Sequence, residues 1–244
     1  MRAPVIVPAY EASATVGRVV SDLFRLWPGL PTIFVVDDGS SDATAELAEA
    51  AGAVVLRHER NRGKGAALRT GLGAAWREGF AAAVSVDADG QHPAAEAWRL
   101  HASCADRAAL VIGVRDLGAA GAPVANRLSN AFSNLVLSGF AGRRLRDTQC
   151  GLRRYPLPAT IDLDAREDGY GYEAEILLRA VAAGLPIVER PVRVLYPPAG
   201  ERTTHFHPAR DPARIVVRVL RTAADTRTRS LRRRLARVRP RFRQ

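Results

Sequence analysis

Four short apolar segments, each followed by a stretch of helical length, constrain the fold of this chain more than any other feature. Val5-Ile6-Val7, Thr32-Ile33-Phe34-Val35-Val36, Val54-Val55-Leu56 and Ala82-Ala83-Val84-Ser85-Val86 read as strands rich in β-branched residues. Between them, residues 15–27, 43–51 and 65–79 carry the spacing of helices. Apolar strands alternating with helices predict an α/β fold, a Rossmann-like, mostly parallel sheet with helices on both faces. Farther along, residues 110–113 and 186–196 are expected strands, and residues 126–140 and 172–183 expected helices.

Ligands of such sheets bind beyond the carboxyl ends of the strands. Two acidic segments fall there, Asp37-Asp38-Gly39-Ser40-Ser41-Asp42 and Asp87-Ala88-Asp89-Gly90-Gln91. In the second, a turn at Gly90 would bring both carboxylates together, and Gln91 supplies a further oxygen. Hard divalent cations take oxygen ligands and keep waters and substrate phosphates in their shell, so the segment suits a Mg²⁺ or Mn²⁺ diphosphate complex; alone it reads equally as a helix cap and a turn. In the first segment, carboxylates are placed to accept hydrogen bonds from a nucleobase or ribose, while Ser40, Ser41 or Asp42 is available to cap the next helix. Arg60-Asn61-Arg62-Gly63-Lys64-Gly65 opens a helix with two glycines and a cation, without the spacing of a Walker loop. Its glycines serve either a phosphate or close packing of helix on sheet.

Charge divides the chain. Residues 201–244 hold 14 arginines against Glu201, Asp211 and Asp225, the whole of the formal net charge of +11, so residues 1–200 balance 22 positive against 22 negative side chains. Ile215, Val219 and Leu220, then Leu231, Leu235 and Val238, recur at helical spacing among those arginines. The organisation expected is a body over residues 1–210 and a basic amphipathic segment over residues 211–244, whose partner is anionic. Two cysteines, Cys104 and Cys150, form no disulfide framework or metal cluster and fit a reducing, cytoplasmic compartment. The short apolar run after Met1-Arg2 does not make a secretory signal, and no uninterrupted apolar stretch reaches the ~18 residues of a membrane span. A soluble or peripheral protein is expected. Among the histidines, His101 is expected on a helix surface and His92 before a proline turn, and zinc is not expected.

The order of Val7-Pro8-Ala9-Tyr10-Glu11, Val36-Asp37-Asp38-Gly39-Ser40-Ser41-Asp42, Asn61-Arg62-Gly63-Lys64-Gly65 and Asp87-Ala88-Asp89-Gly90-Gln91-His92-Pro93 resembles the inverting family-2 glycosyltransferases. Within that family it is most similar to the dolichyl- or polyprenyl-phosphate mannose and glucose synthases. The likeness continues through Asp147-Thr148-Gln149-Cys150-Gly151, Gly169-Tyr170-Gly171-Tyr172-Glu173 and Arg202-Thr203-Thr204-His205-Phe206, over about residues 3–215. The resemblance implies a GT-A-type fold and a nucleotide-sugar pocket formed by Pro8, Tyr10, Glu11, Asp37, Asp38, Lys64 and Asp87. It implies that Asp87, Asp89 and Gln91 attend a Mg²⁺ or Mn²⁺ ion. Arg115, Arg127 and His205 fall where such synthases hold the acceptor phosphate, Arg202 in a loop that closes over the donor diphosphate, and Asp147 where relatives place an acidic catalytic group. Asp89, Asp147 and Arg202 are thus the expected catalytic positions. Many lipid-linked synthases carry C-terminal transmembrane helices, which this sequence lacks.

Three functions stand at this point. One is a metal-dependent inverting enzyme moving a hexose from GDP-mannose or UDP-glucose to a polyprenyl phosphate at the inner face of the plasma membrane, held there through the basic segment on anionic lipid or on a membrane partner. An anionic acceptor oxygen needs cations rather than a base. Another is a family-2 enzyme acting on a hydroxyl of a lipid or polysaccharide, for which Asp147 is the candidate base. The last, a nucleic-acid-binding protein with a degenerate enzyme body, fits the tail but not the neutral body with its ordered acidic loops.

Overall fold

The structure, a computed structural model, describes residues 3–29 and 31–196. Its centre is a seven-stranded sheet: β1 (Val5–Ala9), β2 (Ile33–Asp37), β3 (Val54–Arg57), β4 (Ala82–Ser85), β5 (Leu110–Arg115), β6 (Arg153–Pro156) and β7 (Ile187–Val192), in the order β3-β2-β1-β4-β6-β5-β7. β1 is parallel to β2 and β4, β2 to β3, and β5 to β7, while β6 runs antiparallel to both its neighbours. The helices are α1 (Val16–Leu26), α2 (Thr44–Ala50), α3 (Lys64–Arg77), α4 (Ala94–Ala102), α5 (Val124–Ala141), α6 (Leu157–Asp162) and α7 (Tyr172–Ala183).

Strand side chains alternate between two cores, as a doubly covered sheet requires. Ile6, Phe34, Val36, Ala83, Leu110, Ile112 and Tyr155 pack with residues of α3 and α7 on one face. Val5, Val7, Ile33, Val35, Val84 and Val111 pack with residues of α1 and α4 on the other. Each such fully buried large side chain contributes about 1.5–3 kcal/mol. Close approach is set by Gly71 of α3, where a Cβ would run into the Ile6 side chain of β1. The expected elements are present within a few residues of their predicted ends, although the final strand is shorter than residues 186–196.

Two elements, β6 and α6, escaped the sequence reading, and α4 entered it only through the helix expected to carry His101, with no bounds given. β6 is the physically informative one, because Arg153 and Arg154, its first two residues, are fully buried. Arg153 donates to the carbonyls of Thr148, Cys150 and Glu173, each at 2.8 Å. Arg154 donates to the carbonyl of Cys104 at 2.8 Å and to that of Asp106. Buried guanidinium groups are tolerated when their donors are largely satisfied in this way; of these two groups only Arg154 Nε finds no acceptor among the described residues, and the other donors tie down carbonyls on the two faces of the sheet. His101 is also corrected: it is buried rather than on the surface, its ring 5.6 Å from that of Trp27 and 5.7 Å from that of Trp98. Among the described residues no helix is long and apolar enough to cross a membrane. The expected basic segment, residues 211–244, lies outside the described residues.

Candidate active site

A cavity of about 410 Å³ opens at the carboxyl ends of β1 and β4, where the topology of a parallel sheet leaves loops free to converge. Pro8, Tyr10, Glu11, Asp38, Lys64, Asp87, Asp89, Gln91 and Arg115 line it. Asp37 does not: it is fully buried, accepts the Ser40 amide at 3.0 Å and pairs with Arg57 Nε at 3.2 Å. Arg127 is exposed on α5 and stands off the cavity lining. Asp147 lies directly behind Arg115. Arg202 and His205 lie outside the described residues.

The end of the cavity next to β1 and β2 is held together by side chains folding back onto amides. Asp38 Oδ1 accepts the Arg62 amide at 3.0 Å and Oδ2 the Gly63 amide at 2.7 Å, and His58 Nδ1 lies 2.6 Å from Oδ1. The loop that resembles a phosphate cradle therefore directs these two amides at Asp38. Gly63 adopts φ +97°, and a Cβ there would meet the Asp168 carbonyl, so glycine is required on both counts. Gly63 and Gly65 pack against residues 167–169 and Tyr172 rather than against the sheet. Glu11 takes a left-handed conformation, φ 49°, while its carboxylate accepts the Ser41 amide at 2.8 Å and its own amide donates to Ser40 Oγ at 2.9 Å. Such a backbone costs about 1–3 kcal/mol and persists where the surroundings hold it. The β1 and β2 loops thus brace each other.

At the centre, Gly90 turns with φ +72° and the Gln91 amide donates to Asp89 Oδ1 at 2.9 Å, which brings Asp87 and Asp89 to the same cavity. Lys64 Nζ sits 2.7 Å from Asp87 Oδ1 and 3.1 Å from Glu173 Oε1. Burial opposes the Lys64 charge, but Asp87 and Glu173 outweigh it and raise its pKa. Burial likewise opposes ionisation of Asp87, yet Lys64 outweighs it and the carboxyl lies below its ordinary range. Asp89 goes the other way: burial, then the charge of Asp87, push it up to about 6. Asp87 and Asp89 crowd each other while Lys64 pairs with Asp87 alone of the two, and this donor set suits a further cation. Among the described residues no three His, Cys, Asp or Glu side chains cluster to hold a metal, so an ion here would complete its shell with phosphate and water oxygens, as Mg²⁺ and Mn²⁺ do. Neighbouring His92 is driven down to about 4, chiefly by burial, and is neutral at pH 7.

At the far end Arg115 meets Asp147. Arg115 Nε donates to Asp147 Oδ2 at 2.7 Å, Nη2 to Oδ1 at 2.9 Å and the Arg115 amide to Oδ2 at 3.1 Å. Asn130 Nδ2 adds a bond to Oδ1 at 2.7 Å. Burial works against the Asp147 charge, but these donors outweigh it and hold its pKa below the ordinary carboxylate range. Asp147 is thereby a fixed counter-ion for Arg115, with its oxygens committed.

Two residues that sequence reasoning did not single out belong to this site. Glu173, the first-turn carboxylate of α7, clamps Lys64. Gly151 faces Asp87 so closely that a Cβ would strike its carboxylate. Both stand inside the segments 169–173 and 147–151 that carried the family resemblance, and that was the signal available for them.

Comparison with known proteins gives the family. The model of the family described as "Glycosyl transferase family 2" matches residues 5–154. The polyprenol monophosphomannose synthase of Mycolicibacterium smegmatis is 30% identical, the match covering 78% of this chain and 76% of the relative. The undecaprenyl-phosphate mannosyltransferase of Micrococcus luteus is 30% identical, over 82% of this chain and 86% of the relative. Among solved structures, glucosyl-3-phosphoglycerate synthase from Mycobacterium tuberculosis, in complex with Mn²⁺, UDP and phosphoglyceric acid, superposes with a TM-score of 0.69 at 23% identity, covering 92% of this chain and 78% of that one. Mannosyl-3-phosphoglycerate synthase from Rubrobacter xylanophilus gives 0.65 at 21%, covering 100% and 77%. The fold is that of the GT-A glycosyltransferases, and the chain belongs to glycosyltransferase family 2.

Proposed function

We propose that this glycosyltransferase moves a hexose, with inversion, from GDP-mannose or UDP-glucose to a polyprenyl phosphate, using Mg²⁺ or Mn²⁺. The observation that carries the reading is the Arg115–Asp147 pair. A hydroxyl acceptor requires a base, and Asp147, the base that the sequence offered, has its oxygens saturated and its proton affinity lowered. A phosphate oxygen is already anionic at neutral pH and needs a cation to place it, and Arg115 lines the cavity. In this reading Asp147 holds Arg115 and removes no proton.

The remaining residues take complementary parts. Pro8, Tyr10, Glu11 and Asp38 surround the nucleotide, with Asp37 bracing that loop from behind. Lys64 shares the negative charge of Asp87 and Glu173 and stands ready for the donor diphosphate. Asp87, Asp89 and Gln91 would hold the divalent ion, which when bound neutralises charge developing on the leaving diphosphate. Arg127, Arg202 and His205 are assigned to the phosphates by family resemblance. Relatives named for polyprenol and undecaprenyl phosphate support the acceptor class, and the Mn²⁺–UDP complex of the M. tuberculosis neighbour supports the ion. Residues 1–210 form the enzyme body, and the arginine-rich residues 211–244 keep it on the anionic cytoplasmic face of the membrane or on a membrane partner.

Titration with GDP- and UDP-sugars in the presence of Mn²⁺, read by thermal shift, tests the donor half. One donor class should raise the melting temperature, because a ligand that binds only the native state stabilises it by mass action. No shift with any nucleotide sugar contradicts the reading.

A further inference from the structure

The buried face of α5 is polar, where a helix packed on a protein body ordinarily turns apolar residues inward. Ser129, Asn130 and Ser133 are buried there with Leu137, and the half-buried Asn134 stands beside them. Asn134 uses both ends of its amide. Its Oδ1 accepts the Thr148 amide and the Thr148 hydroxyl, each at 2.8 Å, and its Nδ2 donates to the Arg146 carbonyl at 2.6 Å and to Asn130 Oδ1. Asn130 Nδ2 in turn donates to Asp147 Oδ1 at 2.7 Å, and Asp147 holds Arg115. Both asparagines stand off the cavity lining, while Arg115 belongs to it.

Two backbone groups fix the direction in which this chain of bonds runs. The Thr148 amide can only donate and the Arg146 carbonyl can only accept, so Asn134 must present oxygen to the first and nitrogen to the second. The two ends of an asparagine amide have nearly the same shape, and only such neighbours choose between them. With Nδ2 of Asn134 against it, Asn130 must turn Oδ1 to that side and Nδ2 toward Asp147. The chain therefore ends in a donor aimed at a buried carboxylate, which favours its charged form. Turned over, Asn130 would set a carbonyl oxygen against the carboxylate and push it away from the bonds it makes with the Arg115 side chain. Asn134 decides the orientation, yet it reaches Arg115 only through Asn130 and Asp147.

We propose that Asn134 is a positioning residue for Arg115, setting through Asn130 and Asp147 the attitude of the guanidinium at the far end of the cavity. The inference rests on the reading of Arg115 as the group that places an acceptor phosphate, but its first test needs neither donor nor acceptor. Asn134→Asp keeps the shape and the oxygen facing Thr148, and replaces the donor facing Asn130 by an acceptor. Asn130→Ala removes the last donor and leaves Asn134 on its loop, so it serves where Asn134→Asp folds poorly. In the full-length chain carrying isotope-labelled arginine, the Arg115 Nε–H resonance is identified by its loss in Arg115→Lys. That resonance should move upfield and exchange faster with solvent in both variants. In transfer assays both variants should raise the KM for a short polyprenyl phosphate about five- to tenfold and leave the donor KM within about twofold of wild type. Added to Asp147→Asn, which already breaks the chain of bonds, Asn134→Asp should change the acceptor KM by less than about twofold, whereas a general loosening of α5 would multiply the two effects. A resonance unmoved in both variants, donor and acceptor KM rising together, or effects that multiply in the double variant overturns the proposal. A wild-type chain that transfers nothing to polyprenyl phosphate overturns the acceptor reading instead, and the resonance alone then decides the positioning role.

Discussion

Replacing Asp147 by Asn separates two roles for this carboxylate. The substitution keeps the volume and removes the charge facing Arg115, a guanidinium buried with it and bonded by both Nε and Nη2. Breaking a buried pair by removing one partner costs about 3–5 kcal/mol. Because Asn retains an acceptor oxygen, the lower end applies, and about 3 kcal/mol corresponds to a fall of roughly 6–12 °C in melting temperature for a chain of this size. The pH dependence follows from the lowered pKa of Asp147. A carboxyl whose folded pKa lies below its unfolded value stabilises the protein above about pH 4 and loses that contribution as pH falls through the folded pKa. The gap between wild-type and variant melting curves should therefore close at acid pH. Kinetically, loosening Arg115 should raise the acceptor KM by about tenfold with a smaller change in kcat and none in the pH profile, whereas loss of a general base costs about 10²–10⁴ in rate. A hundredfold loss of kcat with unchanged acceptor KM and unchanged melting temperature would refute the positioning role.

Gly151→Ala places a methyl against the Asp87 carboxylate, and transfer at fixed Mn²⁺ should fall by tenfold or more while circular dichroism stays native; wild-type activity would contradict the assignment of Asp87. Lys64→Met leaves Asp87 and Glu173 without their shared cation, so the melting temperature should drop by several degrees, in line with about 3 kcal/mol for an uncompensated buried charge. Added Mn²⁺ should restore part of that loss, and donor affinity should fall. Gly63→Ala meets both a positive φ and the Asp168 carbonyl, and should destabilise the chain by about 1–3 kcal/mol in a denaturant titration.

The sheet and its flanking helices were legible because strands covered on both faces are apolar along their whole length, and helices repeat at their own period. β6 was not, because Arg153-Arg154-Tyr155-Pro156 looks like a solvated segment until its guanidinium groups are seen bonded to carbonyls across the sheet. The acidic turn at Asp87–Gln91 announced itself through strand-end position and Gly90. Which charges pair was hidden, since Lys64 reaches Glu173 over more than a hundred residues and Arg115 reaches Asp147 from another loop. Motif order brought those segments into view, and only the folded chain shows that Asp147 is bound to the arginine expected to hold the acceptor. The polar inward face of α5 was hidden for a related reason. A helical period reveals that one face is apolar and leaves open which way that face turns.

The acceptor is the central claim, and one comparison tests it most directly. The purified full-length chain, with Mn²⁺ and whichever nucleotide sugar it binds, is given a short polyprenyl phosphate and the corresponding polyprenol at equal concentration. Labelled sugar should pass to the phosphate and not to the alcohol, giving a lipid-soluble, acid-labile glycosyl phosphate. Transfer to the alcohol at an equal or greater rate would contradict the account and return Asp147 to the role of base.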